Sequence, residues 1–367
     1  MTPVQKSSPT PQGSGPIRLA GALVIAALIS IGCEIPTDLP AVETRWIVPT
    51  EETRFGVNEL LPGDVSFTTD SSAFIVNFTP IAFSETLGDL CPPCALADGM
   101  LAPKPPFVAT LGSQIDFPPE VSAFTVLDGD VVFDVFNGTN FDPIRPASGV
   151  FGSLTLTVRD DADGDVLATL VIDGAATAFA PTSTLTRSLA LDPTDVNGSL
   201  VAEILVNSPA GDPITINSSD SVAVTVTPVN IRVAGVTIDV ANRSVDLDPT
   251  TLDLEDIDQD IEDRVVSGSF NVDVTNPFGI GADLQLTITG PTITTIQKSA
   301  PITALPTSTV TIAFTIAELR SMLGEPDITL SGGATVSAAA NVITVTPGQE
   351  LILSANLDLI LRIGGGS

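Results

Sequence analysis

Apolar and polar residues alternate with a period of two through much of the chain. In Gly268-Ser-Phe-Asn-Val-Asp-Val-Thr-Asn276, the apolar residues Phe270, Val272 and Val274 alternate with polar neighbours. Successive side chains of a strand point to opposite faces, so this pattern predicts a strand with one buried face, as in an antiparallel β-sandwich. A further strand of the same kind is predicted from Ser308 to Ile316.

The chain carries these landmarks twice. The segment from Gly129 to Asn137 has the spacing of the strand above, and Pro306-Thr-Ser-Thr-Val-Thr311 repeats Pro181-Thr-Ser-Thr-Leu-Thr186. Between them, the strand predicted from Leu284 to Thr289 echoes the one from Leu154 to Val158. Matched landmarks in the same order indicate an internal duplication.

We therefore predict an all-β protein with two tandem antiparallel β-sandwiches, of immunoglobulin or fibronectin type, after a smaller β-rich N-terminal region. Val, Ile and Thr are abundant, and long helical periodicity is almost absent. Trp46, the single tryptophan, is predicted to fill the core of the N-terminal region. The predicted divisions are a signal peptide (1–32), a tether (33–45), the N-terminal β-rich region with a Cys-Pro-Pro-Cys motif (46–120), the first sandwich (121–240) and the second sandwich (241–367).

One short helix is predicted inside the second repeat. Thr315-Ile-Ala-Glu318 has the spacing of a capping box, in which each of the two side chains bonds to the backbone of the other residue. The helix is predicted to continue to Leu323 and to end at Gly324.

The order of these landmarks resembles the type 2 late-embryogenesis-abundant domain, also called the water-stress and hypersensitive-response domain. Asn276-Pro277 matches the Asn-Pro-Asn turn of that family, with Phe278 in the third place. The first repeat departs from it with Asn137-Gly138. The resemblance spans roughly 120–240 and 241–363. It implies β-sandwich domains that serve as binding or protective modules, and it brings no catalytic residues.

The N-terminus predicts export. Lys6 and Arg18 precede an apolar run from Leu19 to Ile31 that has the length of a signal peptide. A small glycine before Cys33 resembles the bacterial lipobox, whose cysteine is diacylated and becomes the first mature residue, although Ser30 stands where leucine is usual. We predict lipidation of Cys33 and a lipid-anchored location in the cell envelope. The alternative is an ordinary secretory signal with an incidental cysteine.

Cys91-Pro-Pro-Cys94 has three possible uses: a redox centre, half of a zinc site, or a local disulfide. Zinc needs four ligands, whereas Cys33 is the only other cysteine and the chain has no histidine. A redox dithiol would follow a strand of an α/β unit, and the sequence shows no such unit. Because exported thiols oxidise, a structural disulfide between Cys91 and Cys94 is the favoured prediction.

Charge and composition exclude several classes of function. Acidic residues outnumber basic ones 44 to 14, for a net charge of -30. Nucleic acids and anionic lipid surfaces require clusters of Lys and Arg, so neither is predicted as a partner. Without histidine, no Ser-His-Asp or Cys-His catalytic pair is possible. The chain is therefore predicted not to be an enzyme, with carboxylate catalysis left as a rival.

An acidic cluster offers candidate calcium ligands, because carboxylates close together can ring a hard cation. The same residues fit a hairpin, with strands from Leu154 to Arg159 and from Asp165 to Ile172 around an Asp163-Gly164 turn. A second acidic run, from Asp253 to Asp263, predicts a linker or a short amphipathic helix. The candidate calcium ligands are Asp160, Asp161, Asp163 and Asp165.

Together these patterns predict an exported bacterial lipoprotein that acts without catalysis as a binding, protective or scaffolding module. Its predicted partners are the membrane, through the lipid anchor, and an envelope protein or a hydrophobic ligand. No cofactor is predicted apart from the calcium candidate. The alternative function is a lipid or hydrophobic-ligand carrier whose sandwich opens into an apolar groove.

Overall fold

The computed structural model describes residues 41–50, 52–252, 254, 259–337 and 342–364. The predicted signal peptide, Cys33, most of the tether and part of the acidic run from Asp253 to Asp263 lie outside the described residues. Residues 45–361 form one compact unit, and the described residues 41–44 and 362–364 are grouped apart from it.

Nearly every described element is a strand, and the strand pairs of both sandwiches are antiparallel, so the all-β prediction is confirmed. The strands are β1 (Val42–Pro49), β2 (Thr53–Gly56), β3 (Val65–Phe67), β4 (Phe74–Val76), β5 (Ile81–Thr86), β6 (Leu101–Pro103), β7 (Phe107–Ile115), β8 (Val121–Asn137), β9 (Ser153–Asp160), β10 (Val166–Asp173), β11 (Thr184–Ala190), β12 (Asp195–Asn197), β13 (Leu200–Ser208), β14 (Pro213–Thr215), β15 (Ser221–Asp239), β16 (Ser244–Leu252), β17 (Val265–Thr275), β18 (Ala282–Thr289), β19 (Ile296–Ile302), β20 (Thr307–Phe314), β21 (Ile328–Val336), β22 (Val342–Val345) and β23 (Glu350–Ile363). The helical segments are a 3-10 turn (Val57–Leu60), α1 (Leu87–Leu90), α2 (Pro92–Leu96), α3 (Gln259–Glu262) and α4 (Ile316–Met322).

The first sandwich is built from two sheets that share one apolar core. One sheet has the neighbours β11, β8, β15 and β5, and the other has the order β10-β9-β13-β7. Alternate residues of both sheets are buried in this core, among them Phe133, Val135, Leu156, Ile204 and Val224.

The second sandwich has the same strand order. One sheet has the order β20-β17-β23, continued by β1 and β2, and the other has the order β19-β18-β21-β16. The predicted inward positions Phe270, Val272 and Val274 are buried, and they share a core with Ile312 and Leu357. The duplication seen in the sequence therefore corresponds to a repeated strand order.

The duplication also includes the N-terminal region, which the sequence left unexplained. In the first sandwich Phe83 of β5 pairs with Val224, which pairs with Val135. In the second, Thr53 of β2 pairs with Leu353, which pairs with Val274. Positions 135 and 274 occupy the same place in the two repeats, so β5 and β2 are equivalent first strands.

Each of these strands runs directly into a helical turn. Thr86 is the N-cap of α1 and Gly56 is the N-cap of the 3-10 turn, and a buried leucine, Leu90 or Leu60, ends each turn. The chain thus contributes β2 to the second sandwich, builds the first sandwich, and returns to the second at β16.

A second link joins the two sandwiches. In β22, Val345 pairs with Val236 and Ile343 with Ile238 of β15. A strand from the C-terminal part of the chain therefore extends a sheet of the first sandwich, across the predicted boundary between residues 240 and 241.

Two local predictions have opposite outcomes. The capping box is confirmed, because the Thr315 hydroxyl accepts from the Glu318 amide and the Glu318 carboxylate accepts from the Thr315 amide. The prediction for Trp46 is wrong: its side chain is 38% exposed. It lies on β1 at the edge of its sheet, where little structure covers it, and Val48 makes the contact with the second core instead.

Candidate functional site

Each sandwich contains one buried asparagine at the end of its repeated strand. Asn137 accepts from the Thr139 amide (3.0 Å) and donates to the Phe141 carbonyl oxygen (2.9 Å). Its amide group also donates to the carbonyl oxygens of Phe179 (2.9 Å) and Ala180 (3.2 Å). A buried amide with its partners in place fixes the course of the loop around it.

Asn276 repeats this arrangement in the second sandwich. It accepts from the Phe278 amide (3.1 Å) and donates to the carbonyl oxygens of Ile280 (2.7 Å) and Thr303 (3.2 Å). The residues two and four positions after each asparagine therefore lie in equivalent places, beside the helical turn that follows the first strand.

In the first sandwich this place is filled. Only about 10 Å³ remains free there, which is less than a water molecule needs. The surrounding side chains are buried. They are Leu87 and Leu90 of α1, together with Phe107, Phe141 and Phe179.

In the second sandwich the equivalent place is open. A cavity of about 40 Å³ is lined by Phe55, Leu60, Phe278, Ile280 and Leu351, among others. Its lining is almost wholly apolar. The amide group of the lining asparagine already bonds to two carbonyl oxygens.

A second cavity of about 40 Å³ lies further along the same strands, lined by Leu247, Leu286, Leu330, Leu353 and Ala355, among others. Because side chains two positions apart on a strand share a face, both cavities lie along the same inner faces of β16, β18 and β23. We call the two cavities together the apolar groove. It is defined by Phe55, Phe278 and Leu351 at one end and by Leu247, Leu330 and Leu353 at the other.

A smaller residue on β21 leaves space in the second sandwich, where Ala334 lines the cavity. Leu154 pairs with Val206 in the first sandwich, whereas Leu284 pairs with Ala334 in the second. The next inward residue of β21 is Gly332, which pairs with Leu286. The corresponding residue of the first sandwich is Ile204, which pairs with Leu156. A Cβ atom on this glycine would lie 2.0 Å from the carbonyl oxygen of residue 285 on β18. The close approach of the two strands therefore excludes a side chain there.

Charge near the groove is acidic. Glu59 lines one end, and its side chain accepts from Asn58 (2.7 Å). Arg54, on β2, is paired with Glu52 (2.7 Å) and Glu350 (3.1 Å). This basic side chain is thus already neutralised by carboxylates.

The predicted pairing of Cys91 with Cys94 is present, with the sulfur atoms 2.02 Å apart. Both cysteines are buried, and Cys91 lies between α1 and α2. The disulfide therefore fixes the segment that fills the first sandwich. The second sandwich has Leu61 at the corresponding position and no such bond.

Three of the four candidate calcium ligands have separate partners in the β9–β10 hairpin, which is present as predicted, and the fourth, Asp165, contributes its backbone amide. Asp160 is fully buried, and its carboxylate accepts a hydrogen bond from the backbone N–H of Asn197 (2.8 Å). Asp161 accepts from Gln114 (2.7 Å), and Asp163 accepts from the amide of residue 165 (3.0 Å). Within the described ranges, no group of three or more acidic or cysteine side chains is arranged to hold a metal ion.

Lys104 is a feature of the first sandwich that the sequence analysis missed. It is only 1% exposed. Its Nζ donates to the carbonyl oxygens of Pro105 (3.1 Å) and Pro209 (2.5 Å) and lies 4.8 Å and 5.4 Å from the ring centres of Phe107 and Phe141. Burial lowers the pKa of this ammonium group to about 8. In the sequence, the one feature that marks this lysine is that it lies between Pro103 and Pro105.

In the part of the chain that the structure describes, no helix has both the length and the apolar character needed to cross a membrane.

No protein-family model matches the chain, and no curated protein matches it. Among solved structures, a protein of Parabacteroides distasonis described as secreted is 10% identical, with 88% of this chain and 100% of that chain covered and a TM-score of 0.33. The subviral particle of infectious bursal disease virus protein VP2 is 12% identical, with 84% and 86% covered and a TM-score of 0.19. Likenesses this distant carry no argument about this chain.

Proposed function

We propose that the protein is an exported, lipid-anchored binding module of the bacterial cell envelope that acts without catalysis, and that it binds its ligand in the apolar groove. The observation that carries this proposal is the contrast between two equivalent places in one chain. The first is filled by five apolar side chains, and the second is left open, with Ala334 where the first sandwich has Val206. An apolar concavity in a folded protein is the usual form of a small-ligand site.

Two features support an exported location. The apolar run before Cys33 has the composition of a lipoprotein signal. The bond between Cys91 and Cys94 is of a kind that persists in oxidising compartments.

The proposed resemblance to the type 2 late-embryogenesis-abundant domain agrees with a binding or protective role. The groove favours binding over scaffolding, because a scaffold has no use for an unfilled space between its sheets. It likewise favours the hydrophobic-ligand reading among the alternatives that the sequence left open. The anchor would hold such a module at the membrane surface.

Membrane fractionation tests the anchored location. The wild-type chain, expressed in a bacterium and labelled with an alkyne analogue of palmitate, should pellet with membranes and carry the label. Cys33→Ser should lose the label and move to the soluble fraction. As a matched control, the double variant Cys91→Ser/Cys94→Ser should keep both the label and the membrane location. An unlabelled wild-type chain, or a Cys33→Ser chain that still pellets, would contradict the anchor.

A further inference from the structure

We propose that the apolar groove binds the alkyl chain of a single-chain amphiphile whose head group is uncharged or cationic. This inference rests on the proposed binding function and names its ligand class.

The lining of the groove selects hydrocarbon over peptide. Most of the lining is apolar, as with Phe55, Phe278 and Leu353, and the side chains with polar atoms are limited to Glu59, Asn276 and three threonines. A peptide backbone placed there would lose its hydrogen bonds to water without replacing them, which is costly for every group buried. An alkyl chain has no such groups, and its burial is favourable in proportion to the area covered.

The dimensions of the groove favour one chain. At about 3.3 Å per residue, the wall formed by β23 from Leu351 to Ala355 is roughly 13 Å long. Each of the two cavities leaves only about 40 Å³ free. A single chain can extend across both cavities with one side towards solvent, whereas the two chains of a phospholipid would have to force the sheets apart.

The charges around the groove decide the head group. Glu59 lies at one end, and Thr53 and Thr250 line the other. The protein carries a net charge of -30. An anionic head group would therefore be repelled, while hydroxyl-rich or cationic head groups would meet hydroxyls and carboxylates.

Three probes with the same twelve-carbon chain separate these possibilities: dodecyl maltoside, dodecyltrimethylammonium and dodecyl sulfate, each below its micelle concentration. They are titrated by calorimetry into the full chain carrying Cys33→Ser, which needs no detergent for purification. The uncharged and cationic probes should bind with one-to-one stoichiometry. Dodecyl sulfate should bind about tenfold more weakly or not at all.

Variants that fill the groove locate the binding. Ala334→Leu and Ala355→Leu each place a larger side chain in one cavity, and each should weaken binding by about tenfold or more. Ala313→Leu makes the same change on an exposed position of β20 and should leave binding unchanged. Circular dichroism melts verify that each variant is folded.

A photoreactive dodecyl probe on the unsubstituted groove gives an answer that does not depend on the variants. Mass spectrometry should find its crosslinks on β16, β21 or β23. Crosslinks elsewhere, absence of binding by all three probes, or tightest binding of dodecyl sulfate would overturn the proposal. Because membrane fractionation of Cys33→Ser is independent of these titrations, a failed ligand class is distinguishable from a failed anchor.

Discussion

The first and second sandwiches have the same strand order and a buried asparagine at the same position. They differ in the space beside their helical turns, which is filled in the first and open in the second. In the first, Leu87, Leu90 and three phenylalanines occupy it. In the second, Ala334 leaves it open. Two copies of one architecture have therefore diverged at a few inward positions, without any change in strand order.

A second difference follows the first. The disulfide and Lys104 both lie beside the filled place in the first sandwich. In the second sandwich, the positions that correspond to the disulfide carry no cysteine. The first sandwich is thus cross-linked beside the space that its own side chains fill, whereas the second has a space between its sheets that a ligand could occupy. The following predictions test this difference between the two sandwiches.

The largest expected effect comes from removing the buried asparagines. Asn137→Ala leaves the Phe179 carbonyl oxygen and the Thr139 backbone amide without their partner. Asn276→Ala does the same to the carbonyl oxygens of Ile280 and Thr303 and to the Phe278 backbone amide. Since each unsatisfied group costs about 1–3 kcal/mol, we expect each variant to lose roughly 3 kcal/mol in the free energy of unfolding. Urea denaturation measures both, with exposed Asn207→Ala as the neutral control. A loss in only one of the two variants would contradict the equivalence of the two asparagines.

Alkaline pH should affect the first sandwich through Lys104. Its pKa in the folded protein is about 8, below the value of 10.5 expected without burial. Between these values the unfolded chain binds a proton that the folded chain does not, so stability rises with pH across this window and is flat just below it. The rise should be at most roughly 3 kcal/mol.

The variant Lys104→Met isolates this contribution. It keeps an apolar stem without the ammonium group, and its stability should not rise between pH 8 and 10.5. Lys298→Met is the matched control and should keep the rise. The chain has no tyrosine or histidine to obscure the measurement. A wild-type protein whose stability falls across this window would show that the charged form of Lys104 is the favoured one.

The disulfide should have a smaller effect, because it closes a loop of only a few residues. Chain entropy predicts about 2 kcal/mol for Cys91→Ala/Cys94→Ala. Hydrogen exchange should show the loss at α1 and α2 and leave the 3-10 turn of the second sandwich unchanged. Reducing agent should reproduce this result in the wild type and have no effect on the double variant. Equal loosening of both turns would mean that the cross-link does not act locally.

The sequence predicted those parts of the fold that depend on local pattern. Period-two alternation identified strands such as the one carrying Phe270, and the capping spacing identified α4. The equivalence of β2 and β5 was hidden, because Phe55-Gly-Val-Asn-Glu-Leu60 and Glu85-Thr-Leu-Gly-Asp-Leu90 share only their final leucine. Strand pairing revealed it, since register is a property of the partner strand as well as of the segment itself.

The candidate site could not be predicted from local sequence patterns for a similar reason. Phe55, Phe278 and Leu351 are far apart in the chain, and each resembles an ordinary core residue in its own segment. The cavity exists because the small side chain of Ala334 does not fill the space between them. Such an absence is visible only when the two sheets are placed face to face.

Xenon binding in a crystal tests the central claim most directly, because xenon enters apolar cavities without needing any chemical group. Under xenon pressure, we expect xenon density between Leu247 and Leu353 or beside Phe278 in the second sandwich. We expect none among Leu87, Leu90 and the phenylalanines of the first. Xenon in both sandwiches, or only in the first, would contradict the claim that one copy is filled and the other open.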